Sequence, residues 1–138
     1  MRIRSFVWSD LDAVLDVWRG AAPGVHLGMS DTPEEMRKKV EHDPDLVLVA
    51  EEQGRVVGAV MGGYDGRRGI VYHLGVRPEA RRQGWGGALM AELEDRLRTR
   101  GCLKYYLLVT PENLHAVEFY RRQGWSVMDM TLMGKEIV

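Results

Sequence analysis

HLGVRPEARRQGWGGALM, residues 73–90, is the stretch on which the reading of this chain turns. An apolar segment, IVYHLGV (70–76), reads as a strand and is stopped by Pro78. Arginines follow at 81 and 82 and glycines at 84, 86 and 87. Behind them Trp85, Leu89, Leu93 and Leu97 recur on one helical face, and Gly101 takes the place just past the helix end. A strand therefore hands over to a helix through flexible, positively charged backbone. The first N–H groups of a helix have no partner within it and carry partial positive charge. Glycines at 84 and 86 let backbone approach a ligand closely, and phosphate oxygens are the natural partner. Arg81 and Arg82 add formal charge, and an arginine can hold a phosphate through two parallel hydrogen bonds. The main-chain amides of Arg82, Gln83, Gly84, Trp85, Gly86 and Gly87 are thus candidates for a pyrophosphate seat. The other reading is a tight turn whose glycines serve packing alone. Neither G-x-x-x-x-G-K-[ST] nor G-x-G-x-x-G fits, because no Lys-Ser/Thr pair follows and Leu89 fills the last glycine place.

Outward from this turn, the pattern alternates. IRSFV (3–7) reads as a strand. Ser9 and Asp12 read as a capping pair for a helix with Leu11, Val14, Leu15 and Trp18 on one face, ended by GAAPG (20–24). Thr32, Pro33 and Glu35 open a second helix, closed by Asp43-Pro44. LVLVAE (46–51) and RVVGAVMGG (55–63) flank EQG as a hairpin. After the central helix, KYYLLV (104–109) reads as a strand and Asn113 to Gln123 as a short helix carrying Ala116, Val117 and Tyr120 on one side. The tail, WSVMDMTLMGKEIV (125–138), reads as one or two closing strands. The order implies an α/β domain with a mixed, mostly antiparallel central sheet flanked by helices, in a single unit over 1–138.

Composition bounds the function. The 138 residues suit one domain, and 45% hydrophobic content supports a core. Net charge is −1, which argues against a nucleic-acid binder. No apolar run reaches membrane-spanning length, the N-terminus lacks a secretory apolar region, and one cysteine, Cys102, makes no internal disulfide. A cytoplasmic protein without membrane association is expected. His26, His42 and His115 lack metal-ligand spacing, so no metal is expected.

Two motifs carry a resemblance. Val76, Pro78, Arg81, Gly84 and Gly86 spell V-x-P-x-x-R-x-x-G-x-G; Asn113, Ala116, Phe119 and Tyr120 spell N-x-x-A-x-x-F-Y, followed by Gly124. The first resembles the acetyl-coenzyme A signature of the GNAT N-acetyltransferase superfamily and the second its other hallmark, with a helix and strand between them. The chain is similar to a small bacterial subgroup of that superfamily. The resemblance implies a GNAT acyl-CoA N-acyltransferase fold with a splayed pair of strands, acetyl-CoA as co-substrate, and acetyl transfer to a primary amine of a small molecule or peptide by direct attack.

It further implies that the backbone at Leu74, Gly75 and Val76 pairs with the pantetheine arm, and that Asn113 and Ala116 stand against the coenzyme. An N-cap role for Asn113 needs no function at all. Gly75 within a strand marks a bulge or a close backbone approach. Tyr120 is the candidate general acid toward the departing thiolate, two turns into the last helix. Tyr72 and His73 are candidates for the base or for ordering a water, with Asp65 and Glu112 as further options. Some N-terminal acetyltransferases of the superfamily carry a glutamate where this chain has Leu108. That departure motivates an alternative, a coenzyme A-binding sensor or interaction module without catalysis. The acceptor is expected over 20–32 and the 64–69 turn, where His26, Asp31 and Asp65 would suit a cationic amine. A homodimer through the closing strands or the Met-rich tail is a further option.

Overall fold

The structure is a computed structural model and describes residues 2–21 and 24–138. The turn expected over 20–24 therefore lies partly outside the described residues. The elements are β1 (Arg2–Ser5), α1 (Leu11–Arg19), α2 (Pro33–His42), β2 (Val47–Glu52), β3 (Arg55–Tyr64), β4 (Gly69–Val76), α3 (Trp85–Thr99), β5 (Tyr105–Leu107) and α4 (Leu114–Arg122). The strands form one sheet in the order β1-β2-β3-β4-β5. Neighbours are antiparallel except β4 and β5, which run parallel because α3 carries the chain back across the sheet. This is the mixed sheet with flanking helices expected from the element order.

Each helix is started by local chemistry. Thr32 caps α2 as predicted, its hydroxyl oxygen accepting from Glu35 N at 3.3 Å, with Pro33 at the first helical position. Ahead of α1 the expected Ser9–Asp12 pair gives way to Asp10, which sits in a short 3₁₀ turn over Trp8–Asp10. Its carboxylate accepts from Val7 N at 2.9 Å and pairs with Arg4 at 2.8 Å. That pairing with a strand residue decides which acidic side chain caps the turn. Asn113 caps α4, its side-chain oxygen accepting from Ala116 N at 3.2 Å.

Both sheet faces are covered, so β2 and β3 read as continuous apolar runs. On one face α1 and α2 bury Val14, Val17, Trp18 and Met36 against Val47, Val49 and Met61. On the other, Trp85, Leu89, Leu93 and Leu97 of α3 cover Leu46, Leu48, Val57 and Val71. Deleting any of these buried side chains costs about 2–5 kcal/mol. The end of α2 is pinned by buried Asp43, which pairs with Lys39 at 2.7 Å and with Arg100 beyond α3 at 2.9 Å.

The tail departs from expectation. Residues 126–138 form no strand. Beyond Trp125, whose N–H donates to Tyr120 O at 3.1 Å, the tail's main chain makes one hydrogen bond among the described residues, Met130 N to Met128 O. A strand needs a ladder partner, and among the described residues no main-chain group of the tail bonds to β5.

Candidate active site

Parallel pairing of β4 with β5 holds for three rungs, Gly69–Tyr105, Ile70–Tyr106 and Val71–Leu107, and then ends. At the same level the β3–β4 register shifts: His73 pairs with Met61 and Val71 with Gly62, leaving Tyr72 as the extra residue of a bulge. Past this point β4 keeps β3 on one side and parts from β5 on the other. The gap is a cavity of about 190 Å³ lined by Tyr72, Leu74, Leu108, Asn113, Phe119 and Tyr120, among others.

Tyr120 reaches this cavity from α4, the position foreseen for it. Its ring packs edge-on against Phe119 at 5.0 Å and Trp125 at 5.8 Å, and Trp125 in turn lies 4.4 Å from Tyr105. Burial pushes the Tyr120 phenol up to about 12. It therefore keeps its proton across the neutral range. Trp125, read only as the start of a closing strand, is the back wall that holds this ring. The aromatic directly after Gly124 was the available signal.

Asn113 fulfils its cap reading. The carbonyl oxygen is spent on the α4 cap, while the amide nitrogen faces Gly24, where an added Cβ would stand 3.2 Å from it. Ala116 also lines the cavity.

The loop before α3 has the expected shape. Gly84 takes a left-handed φ of +86°, and so does Arg82 at +64°. Ala88 N donates to Gly84 O, so the N–H groups of Trp85, Gly86 and Gly87 in the first turn precede the helical ladder. The roles inside the motif divide, however. Arg81 donates to Val76 O at 3.1 Å and Gly20 O at 3.4 Å, stapling the loop to β4 and to the end of α1. Gln83 donates to Glu79 O. Arg82 is exposed and makes no ion pair among the described residues. Gly86 is needed for packing, since a Cβ there would meet Phe119 at 3.2 Å. The packing reading of the glycine turn thus holds at Gly86, while the first-turn N–H groups stay open as the candidate anion seat.

At Gly75 the close approach holds and the bulge does not. The bulge lies at Tyr72, and Gly75 admits α1: an added Cβ would stand 3.2 Å from both Ala21 and Trp18. Leu74 lines the cavity, and Val76 packs beside Gly58.

The base candidates separate. Tyr72 is exposed at the cavity mouth. His73 points to the opposite face, where Nε2 lies 2.8 Å from Asp31 Oδ1 and the ring packs 5.0 Å from Trp18. Asp31 also accepts from Gly28 N at 2.8 Å, so the His73–Asp31 pair clamps the segment after α1 to the sheet. Asp65 is occupied as well, accepting from the backbone of Arg67 and Arg68, which holds its carboxyl below the usual range. Asp31 thus has both oxygens engaged, whereas Asp65 uses only Oδ1 and stays exposed.

A splayed parallel strand pair, a helix N-terminus after a glycine turn, and a half-buried phenol meet around one gap. Residues 11–125 match the acetyltransferase (GNAT) family, and the chain belongs to it. A protein of Pectobacterium atrosepticum named as an acetyltransferase is 39% identical over all of this chain and 96% of its own length. Among solved structures, the PaiA N-acetyltransferase of Thermoplasma acidophilum in complex with coenzyme A superposes with a TM-score of 0.83 at 20% identity, covering 94% of this chain and 92% of that one. The ribosomal-protein-alanine N-acetyltransferase of Brucella melitensis gives 0.75 at 26% identity, over 90% and 83%. Among the described residues no helix is long and apolar enough to cross a membrane.

Proposed function

We propose that this protein transfers an acetyl group from acetyl-CoA to a primary amine by direct attack of the amine. The observation that carries the reading is the Tyr120 phenol, raised by burial, on the wall of the gap between β4 and β5. The coenzyme A bound by the Thermoplasma acidophilum structure, which shares this fold, supports the choice of donor. The residues present fit such a ligand: the amides of Trp85, Gly86 and Gly87 and the charge of Arg82 suit its diphosphate, and the Asn113 amide group suits its amide-bearing arm.

Acetyl-CoA would supply an activated thioester. The β4 main chain beyond the Tyr72 bulge lies where a carbonyl oxygen in the gap could accept a hydrogen bond. Tyr120 donates its proton toward the departing sulfur, whose own basicity rises in the same water-poor cavity. The amine forms the new C–N bond as the C–S bond breaks, and the proton it loses leaves through water at Tyr72. That proton balances the one given to sulfur, and Tyr120 is reprotonated for the next turnover. His73 takes no part in this scheme, because its ring is held by Asp31 away from the gap.

The test is an acceptor screen of amines and peptide N-termini, read by thiol release, with wild type beside Tyr120→Phe. Turnover with at least one amine, lost in the variant, supports the proposal. Binding of acetyl-CoA without turnover on any acceptor would leave only the coenzyme-binding module and overturn the enzymatic reading.

A further inference from the structure

The sheet face beside the gap carries its side chains in an ordered series. Back from the gap, Tyr72, Ile70 and Arg68 follow at alternate positions on β4 and the turn before it. Leu108, Tyr106 and Lys104 do the same along β5 and its approach. Alternate residues of a strand share a face. The two series lie side by side, because Ile70 pairs with Tyr106 in the parallel ladder and Gly69 N donates to Lys104 O. Contacts identify the face. Tyr105 belongs to the apolar layer beneath α3, so Tyr106 faces the other way. A Cβ added at Gly63 would meet Lys39 of α2, Tyr72 and Ile70 together.

The series grades from apolar to cationic. Tyr72 and Leu108 stand exposed at the cavity mouth. Ile70 and Tyr106 follow, half-buried. At the far end Arg68 Nε donates to Tyr106 Oη at 3.3 Å, and Lys104 Nζ lies 5.6 Å from the same ring. The hydrogen bond from Arg68, with the charges of Lys104 and Arg67 behind it, holds the Tyr106 phenol below its usual value. None of Arg67, Arg68 and Lys104 has an ion-pair partner among the described residues. Asp65, the one carboxylate of the turn, spends Oδ1 on the N–H groups of Arg67 and Arg68. Lys39 differs, because Asp43 neutralises it at 2.7 Å. Unpaired positive charge at the end of an apolar track that opens into the gap is complementary to an anionic group on the molecule that enters.

We propose that this track selects the acceptor, an amine whose own chain bears a carboxylate, with its nitrogen in the gap and its carboxylate against Arg68 and Lys104. The inference rests on the acetyl-transfer reading and names the class of amine. Two residues of strand, about 7 Å, separate Leu108 from Tyr106, so nitrogen and carboxylate stand on the order of 7–10 Å apart. That spacing fits an acidic side chain near a free peptide N-terminus. It equally fits the α-carboxylate of an amino acid that reacts through a terminal side-chain amine. The atoms between the two ends lie on Ile70 and the Tyr106 ring. A second positive charge on the acceptor would face Arg68 and Lys104 and be repelled, which sets this class apart from polyamines.

Matched acceptors, read by thiol release, test the assignment. One arm uses peptides that differ only at the second residue, Glu, Gln or Lys. The other compares free lysine with the diamine that lacks its carboxylate. The carboxylate-bearing member should be preferred in kcat/KM by about tenfold or more, and the arm that shows this identifies the source. High salt should shrink the preference. Arg68→Gln and Lys104→Gln should each reduce it by about tenfold, and Lys104→Glu should turn it toward the Lys peptide. Unchanged coenzyme A affinity in these variants, measured by calorimetry, checks that they fold. Turnover indifferent to acceptor charge, turnover favouring the cationic acceptors, or a preference that survives both glutamine variants would overturn the inference and leave acetyl transfer standing. Without turnover on any acceptor the transfer reading falls, and peptide binding to the coenzyme A-loaded protein decides the track separately. Tighter binding of the Glu than the Gln peptide, lost in Lys104→Gln, supports it; equal binding removes it.

Discussion

Val71 and Leu107 form the last rung of the parallel β4–β5 ladder, and the next residue of β4, Tyr72, is the one extruded by the bulge against β3. The two irregularities fall at one level of the sheet. The bulge bends β4 away from β5 just where their pairing stops, and the gap so opened receives Tyr120 from α4.

Tyr120→Phe removes one hydroxyl and keeps the ring contacts with Phe119 and Trp125. We expect turnover to fall by about 10²–10³-fold, within the usual range for a proton donor, with coenzyme affinity changed less than about threefold. Because the phenol sits at about 12, ionisation of this residue should impose no alkaline fall in turnover below about pH 10. Steady-state thiol release across pH, beside calorimetric binding of the coenzyme, checks both statements. Equal loss of affinity and turnover would assign Tyr120 to binding.

Arg81 and Arg82 are adjacent but differ in role. Arg81 holds backbone of β4 and α1, whereas Arg82 projects to solvent beside the α3 N-terminus. Arg82→Ala should weaken coenzyme binding by about tenfold, the effect of one charge-assisted hydrogen bond, and reduce its salt dependence. Arg81→Ala should instead lower the melting temperature. The two are separated by titrating coenzyme at two ionic strengths and by thermal melts.

Much of this was legible in residues 73–90 and 113–124, because glycine turns, helix caps and apolar periodicity are local signals. The caps at Thr32 and Asn113 and the two-residue turn between β2 and β3 needed no tertiary information. What escaped depends on contacts between distant segments. Asp10 replaces Asp12 as the acid of the first turn because Arg4 of β1 claims it. Gly75 is small because α1 lies on it, and Gly86 because Phe119 does. A histidine beside the gap is a natural candidate for a base, yet the strand's alternation turns His73 to the face where Asp31 waits. The alternating tail carried a strand signal, but that signal names no neighbour.

Gly75→Ala tests the packing reading of that residue. The new methyl would crowd Ala21 and Trp18 at 3.2 Å, and Trp18 is fixed by its Nε1–H donating to Ala59 O. We expect a loss of about 1–3 kcal/mol in denaturant unfolding. A neutral result would show that α1 yields easily and that the glycine serves the ligand side of β4 instead.

Asp43 sets an acid limit on stability. Burial alone would raise its carboxyl, but hydrogen bonds from Lys39 and Arg100 outweigh burial and hold it below the ordinary aspartate value. A depressed carboxyl contributes stability that is fully present above the unfolded value, near about pH 4, and is lost as pH falls through the lower folded value. Asp43→Ala should cost about 3 kcal/mol at neutral pH, because Lys39 and Arg100 lose their shared partner while Arg100 keeps some contact with water. Between about pH 4 and pH 2 the wild type should lose stability more steeply than the variant, whose remaining carboxylates lack this term. Urea unfolding at a series of pH values measures both slopes, and parallel curves would show that the Lys39–Asp43–Arg100 cluster contributes nothing to folding.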